Sequence, residues 1–543
     1  MSHGLFTLSP LIPLILLLLG VGALVVGWFV PRLQQPGLIA IVTVAAALMA
    51  LLVMALNLPA SATLSAWGPS SLLPLGLMLE VDPLAWLFGV GVLVVTLAAL
   101  LTGVTRPGGR RILSRGAILL LAFAGLAAIF ADNLLTRAMA WAGLDLVYFV
   151  VLIFLARGEG IEPQAVLNLS LSSAGTLLAV GAALLISRTS PTLSLRDAAL
   201  TSQSTLLITL AAVFRLGLFP LHLGLPTEAN IRQGVGTLLR LIPAAVALEM
   251  MARLATFGFA EPARPWLTLF GVGAGVVGAA QLWNTGDPRQ GITYVVIAHS
   301  GLALLAGLGG GVVALTAQAL ALLLGGALLF LANGHDEQRP WLTAVSLLGV
   351  AVLLDVPLTV GFGGMQGILS ASGGRLGGLV LLGVLTAQSL IAAGLLRVAF
   401  WPGTSVEGSP SLLTLYWGGL ALPAAYAFLA GLASALLSTA LGTPSTAALG
   451  FVGAPSLIAL IFVMISVGAG LALWRFEVWV RARSDVVGGW LMSVLRLDWL
   501  YRLVWNGFRA LGGLIFTLAE VFESEGALLW TLVAALLIWL LFT

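Results

Sequence analysis

Phe214-Arg215-Leu216-Gly217-Leu218-Phe219-Pro220-Leu221-His222 places an arginine, a proline and a histidine inside an apolar run. Proline lacks the N–H that a helix needs and clashes with the turn before it, so a helix through this stretch breaks near Pro220. A second stretch has the same form: Asp355-Val356-Pro357-Leu358-Thr359-Val360-Gly361-Phe362-Gly363-Gly364. Both breaks fall within runs of about twenty residues, the length that crosses a bilayer. Backbone groups freed there must be satisfied by protein or water, because lipid offers no partner. Charged residues beside breaks at matching positions of two halves mark inverted repeats around an ion path. A pair of simple proline kinks is the other reading.

The rest of the chain is equally apolar. Of 543 residues, 60% are hydrophobic and 8% charged, with 65 glycines and a mean hydropathy of +1.11. Such a composition belongs to a membrane-embedded chain. There is no lysine, and all 24 basic side chains other than histidine are arginine. Lysine can release its proton when desolvated, whereas arginine stays charged, so no proton relay here runs through lysine. The net charge of +3 comes with no basic cluster interleaved with aromatics, which speaks against a nucleic-acid surface. The absence of cysteine excludes a disulfide, a cysteine-held metal and an iron–sulfur cluster. No cofactor and no metal are expected. The first apolar run, Leu11–Val30, lacks a basic leading segment and a clear cleavage site, so it is expected to stay as a first helix.

The fold class expected is an all-α polytopic membrane protein of about sixteen spans. They lie near 9–30, 37–57, 82–103, 114–132, 133–156, 164–187, 199–222, 237–257, 265–283, 289–307, 311–334, 341–371, 376–400, 410–437, 455–474 and 525–543. Grouped, they make N-terminal helices over 1–113, a first inverted repeat over 114–257 and a second over 265–400, five helices in each, then further helices over 401–474. The stretch 475–524 is too polar to span, and Asp498, Arg502, Asn506 and Arg509 recur at helical spacing among apolar residues. An amphipathic surface helix fits it, followed by a last span at 525–543. With the chain starting outside, about sixteen arginines fall in loops after odd-numbered spans and about six after even-numbered ones. The positive-inside rule then puts the odd loops in the cytoplasm and both termini outside.

The residues around the breaks resemble a known family. Phe214 through Pro226 is similar to the K-x-x-x-x-P-F-H-x-W-x-P signature of the antiporter-like subunits shared by respiratory complex I, Mrp-type cation/proton antiporters and membrane-bound hydrogenases. Asp287-Pro288-Arg289, followed by Tyr294, Ile297, His299 and Gly301, resembles D-x-K-R-x-x-A-Y-S-S-I-x-H-x-G. Val356 through Met365 is similar to G-x-P-x-x-x-G-F-x-G-K, Asp82-Pro83-Leu84 to the start of the third helix, and Gly143-Leu144-Asp145-Leu146 to G-L-E-L. The resemblance covers roughly residues 80–400.

It implies a proton-translocating or coupling membrane subunit of a complex I-like NADH:quinone oxidoreductase or related complex, without redox chemistry of its own. An inorganic-carbon uptake system, an Mrp-type antiporter and a proton-inactive structural subunit are the alternatives. The implied partners are other membrane subunits and the bilayer, with protons or Na⁺ as cargo. The implied location is a bacterial or archaeal inner membrane.

In that family a glutamate on the fifth helix pairs with a lysine on the broken seventh, and later lysines or histidines carry protons along the midplane. Here Asp145 stands at the glutamate position and Arg215 at the lysine. Ala245, flanked by Arg240 and Glu249, lies near the eighth-helix lysine slot, Met365 takes the twelfth-helix lysine position, and Asp355 replaces a usual glycine. His222 and His299 match histidine positions. The candidate ion path is therefore Asp145, Arg215, His222, Arg240, Glu249, His299 and Asp355. Each also has a plain structural reading. Asp145 and Arg215 can form a fixed salt bridge, and the histidines can be bonded to backbone. Glu249 can pair with Arg253 one turn on, Arg240 can snorkel to the interface, and Asp355 can bind a cation or a water chain.

Overall fold

A computed structural model describes the chain apart from residues 1–7, 29–35, 65–76, 106–110, 156–160, 189–192, 196–199, 219–232, 333–339, 375, 404–408, 434–453, 482–501, most of 502–526, and 543. Two compact units result, Met1–Phe476 and Glu477–Thr543. The first is a helical bundle that begins with α1 (Leu11–Trp28), α2 (Pro36–Met54), α3 (Pro83–Thr102) and α4 (Arg111–Phe130). It continues through α5 (Leu134–Leu155), α6 (Ile161–Ile186), α7 (Ser202–Leu216), α8 (Gln233–Phe257) and α9 (Arg264–Asn284). Then come α10 (Pro288–Leu331), α11 (Pro340–Leu353), α12 (Gly361–Ala371), α13 (Gly377–Phe400), α14 (Pro410–Leu432) and α15 (Ala454–Arg475). The second unit holds α16 (Ala527–Phe542). The expected amphipathic helix over 475–524 falls largely outside the described residues.

Ten of the described helices are long and apolar enough to cross a membrane, which makes this a multi-pass membrane protein. Their burial sorts them into layers. The apolar windows of α10, α8 and α3 are 100%, 94% and 89% buried, whereas those of α6, α14 and α15 are 33%, 28% and 22% buried. The first three therefore form the centre of the bundle, and the others present apolar side chains outward, as helices facing lipid or another membrane chain do.

Helix α10 is two spans, not one. A straight helix of its length would run about 66 Å, twice the thickness of the hydrocarbon layer. Gly311 has φ 66° and ψ −155°, and a Cβ built on Gly307 would lie 3.3 Å from the Leu315 Cβ. Eight residues of continuous helix would separate those atoms by about 12 Å, so the chain reverses at Gly311. This matches the expected separation of 289–307 from 311–334. The first limb packs against α9 through small residues: a Cβ on Gly278 would lie 2.7 Å from Ala298 N, and one on Gly301 2.6 Å from Gly271 O. Backbones this close need glycine, and close backbone approach is how helices associate where lipid removes the hydrophobic drive.

The expected break within 341–371 is present: α11 and α12 are separated by a segment in which Asp355 (φ 57°) and Leu358 (φ 75°) adopt left-handed conformations. Leucine rarely does so, which marks the break as held by its surroundings. The connection between α2 and α3, expected as plain loop, contains an antiparallel hairpin of β1 (Ala60–Leu64) and β2 (Leu77–Val81). Five-residue strands in an apolar chain carry no periodicity that distinguishes them from loop. Helix α7 starts on a Thr201–Ser204 capping box and stops at Leu216, capped by Gly217 at φ 56°. Beyond it, His222 lies outside the described residues.

A candidate ion path

Helix α5 carries Arg137, Trp141, Asp145 and Tyr148 at spacings of four, four and three, which sets them on one buried face. Asp145 meets Arg215 from the last turn of α7. Arg215 Nη1 donates to Asp145 Oδ2 at 3.1 Å and Nη2 pairs with Oδ1, the two-pronged geometry in which a guanidinium holds a carboxylate best. Nη2 also donates to the Trp141 carbonyl at 3.0 Å, Nη1 to Thr176 Oγ1 at 3.3 Å, and the cation lies 4.7 Å from the centre of the Trp141 ring. The expected pair forms, and α6 joins it through Thr176.

That geometry predicts the behaviour of variants. Asp145→Ala strands a buried cation, and removing one partner of such a pair costs about 3–5 kcal/mol. The exchange of Asp145→Arg with Arg215→Asp should recover part of this in thermal melts of the purified protein. It cannot recover all of it, since an aspartate at 215 cannot donate to the Trp141 carbonyl or stack on its ring. A double variant no more stable than Asp145→Ala would refute a mainly structural pair.

A cavity opens beside this pair, with about 20 Å³ of space for the centre of a water molecule. That is room for a water or two. Its polar lining includes Asp145, Arg215, Tyr148, Asn168, Ser172 and Arg240. Among the described residues, the Tyr148 hydroxyl and Arg215 Nε have no protein partner. Pro243 inside α8 also lines it and supplies no N–H, which leaves the Leu239 carbonyl at the cavity wall without its helical donor. Arg240 Nε donates to Thr293 Oγ1 at 3.0 Å and its Nη1 to the Gly236 carbonyl at 3.1 Å, polar groups near the starts of α10 and α8.

Glu249 belongs to a larger assembly than a pair on one helix face. It does bond Arg253 one turn on, but it also pairs with Arg137 from α5, both side chains having no exposure at all. Arg253 in turn holds Asp82, with Nη1 donating to Oδ2 at 2.8 Å and Nη2 to Oδ1 at 3.0 Å. Asp82 caps α3 by accepting the Ala85 N–H at 2.8 Å. Two acids and two arginines thus alternate across α3, α5 and α8, and Arg137 Nη2 reaches the Ala131 carbonyl at 2.8 Å. Sequence reasoning passes over Arg137 and the partnership of Asp82. The spacing of Arg137 to Asp145 on one face of α5 is the signal that marks the first.

The second half is built differently. His299, fully buried on the first limb of α10, has Nε2 2.7 Å from the Leu353 carbonyl and Nδ1 3.1 Å from the Val295 carbonyl. Leu353 ends α11, so the histidine satisfies a carbonyl that the break sets free. A neutral imidazole has one N–H and can donate to one of these oxygens, whereas an imidazolium donates to both. Asp355, two residues further on, accepts hydrogen bonds from Gln318 Nε2 and Gln388 Nε2. Met365, at the lysine position of the resemblance, is fully buried and offers nothing to titrate. Arg397 on α13 donates from Nη1 to the Trp283 and Thr285 carbonyls at 2.7 and 3.1 Å, a cap on the end of α9. Among the described residues, no group of three or more histidine, cysteine or acidic side chains is placed to hold a metal ion.

No protein-family model matches the sequence, and no curated protein matches it. Solved structures do. A chain of the Mrp complex from Dietzia sp. DQ12-45-1b superposes with a TM-score of 0.82 at 20% identity, over 98% of this chain and 63% of that one. A chain of the membrane-bound sulfane sulfur reductase, an archaeal respiratory membrane complex, gives 0.73 at 18% identity over 97% and 99%. One from respiratory complex I of Thermus thermophilus gives 0.64 at 21% identity over 84% and 99%. The chain has their fold. It spans about 63% of the length of the Mrp chain it matches.

On this shared fold the buried polar groups divide by chemistry. In the first half Asp145 and Glu249 are each paired with arginine, which keeps its proton. The second half holds His299 and Asp355, each bonded to neutral partners only.

Proposed function

We propose that the chain is an antiporter-like subunit of a multisubunit membrane complex, conducting protons or coupling their movement to a partner's chemistry. The observation that carries this reading is the cavity joining the Asp145–Arg215 pair to Arg240 and Tyr148, buried in a fold shared with chains of the Mrp complex and complex I. Intramembrane ionisable residues are costly and mark ion pathways by default. In this reading the clamped pairs of the first half set the electrostatic field, and His299 and Asp355 exchange protons. The partners are other membrane subunits, the location is the inner membrane, and the redox chemistry belongs to other chains. A structural subunit with no proton path is the second reading, favoured by the inert Met365 at a lysine position.

The deciding experiment purifies the protein in mild detergent with whatever accompanies it and reconstitutes the assembly in proteoliposomes. Conduction predicts internal pH change on energising the complex. Intact partner activity without any pH change would establish the structural reading. Co-purifying flavin and iron–sulfur subunits would assign a complex I-like assembly, and a large peripheral zinc protein would assign an inorganic-carbon system. Orientation is tested separately. Reporters inserted within 104–113 or 476–490 should report cytoplasm, and one within 58–78 should report the outer side. An outward signal from 104–113 would overturn the arrangement.

A further inference from the structure

Asp355 is fully buried and has no cationic partner among the described residues. Gln318 Nε2, on the second limb of α10, donates to its Oδ2 at 3.3 Å, and Gln388 Nε2, on α13, donates to the same oxygen at 2.9 Å. Among the described residues Asp355 Oδ1 has no protein partner, and neither does the Oε1 of either glutamine. Both glutamines are themselves buried, at 0% and 1% exposure. The first turn of α12 closes over them: a Cβ on Gly361 would run into Asp355 Oδ1, and one on Gly364 into Gln318 Oε1. Glycine at both positions leaves the carboxyl just enough room.

The charged and titratable groups around it are few. Helices α11 and α12 carry none, α15 has only its terminal Arg475, and α13 has Arg397, which is committed to the Trp283 and Thr285 carbonyls. Tyr416 and Tyr426 of α14 donate to the Leu331 and Leu87 carbonyls. His299 on α10 is bonded to Leu353. The N-terminus of α12 would favour an anion, yet none of its N–H groups donates to Oδ1. A carboxylate buried without counter-charge or protein donors on one oxygen is less stable than the same group carrying a proton.

We propose that Asp355 is a proton-binding site in the second half of the chain, loaded as the neutral carboxylic acid. Oδ2 then serves as the carbonyl-type oxygen that accepts both amide N–H groups, and the proton sits on Oδ1. The Val352 carbonyl borders the same point over Gly361 and offers an acceptor. Unloading leaves one negative charge at the break, which the N–H groups of the α12 first turn can stabilise once that turn shifts toward Oδ1. The polarity is opposite to that of a lysine: this site is neutral when loaded and charged when empty. The proposal deepens the ion-path reading, but the site itself does not depend on transport.

The test is infrared spectroscopy of the purified protein at neutral pH, in H₂O and D₂O. The wild type should show a carboxylic-acid C=O band that shifts in D₂O. Asp355→Asn should lose that band and Asp355→Glu should move it. Exchanging choline chloride for sodium chloride should leave it unchanged. If Asp355→Asn does not fold, the displaced band of Asp355→Glu still identifies the residue. Absence of the band, or a band that neither variant alters, overturns the proposal. A band that appears only when Na⁺ is withdrawn also overturns it, because the unpartnered oxygens would then be holding a cation. A band with no transport leaves the proton site standing and defeats the conducting reading instead.

Discussion

Replacing His299 with glutamine should leave an assembled protein that no longer moves protons. Glutamine can still donate to the Leu353 carbonyl, so the end of α11 keeps its partner, but an amide does not titrate. His299→Ala should do more damage, because it also leaves that carbonyl unsatisfied, at about 1–3 kcal/mol. The measurement is internal acidification of proteoliposomes holding the whole complex, with assembly followed by gel filtration. Loss of uptake to background in both variants, with normal assembly in His299→Gln, is the expected outcome. Wild-type uptake in His299→Gln would remove the histidine from the relay and leave it as a backbone cap.

A stability effect as large as that at Asp145 is expected at Glu249. Glu249→Ala leaves Arg137 buried with only the Ala131 and Ile129 carbonyls to face, and Arg253 with Asp82 alone. The loss should be about 3–5 kcal/mol, the cost of stranding one member of a buried ion pair. Replacing both members, Arg137→Met with Glu249→Leu, removes the stranded charge and keeps the Arg253–Asp82 bridge. That double variant should recover most of the loss, since apolar replacements of a buried pair are often neutral. Thermal melting of the purified protein decides between them. A double variant as unstable as Glu249→Ala would show that the four charges act as one unit, with Arg253 needing both acids.

Several parts of the architecture follow from composition and local pattern. Twenty-residue apolar runs must cross the bilayer as helices, because the backbone has nowhere else to bond. Pro357 locates the interrupted span between α11 and α12 for the same reason, whereas Pro220 lies outside the described residues. The Asp145–Arg215 pair also follows, since a buried acid needs a cation and the resemblance places one opposite it. Glu249 was harder to read. Its partner one turn away on α8 is visible as a spacing, but Arg137 lies 112 residues distant and reaches it only because α5 packs beside α8. Gln318 and Gln388 are unremarkable in an apolar chain until the fold brings both amides onto one oxygen of Asp355.

What the sequence by itself determined is the solvent: with 8% charge and no lysine, this chain must live in lipid and cannot pass protons through an amine. The tertiary structure alone decided which buried polar groups meet arginine and which meet neutral partners. Arginine clamps Asp145 and Glu249, while Asp355 faces two neutral amides and His299 two carbonyls. Spacing along one helix constrains neighbours within a turn or two, but the partner that fixes a buried group's charge comes from another helix. In a low-dielectric interior that partner outweighs every local preference, and only packing supplies it.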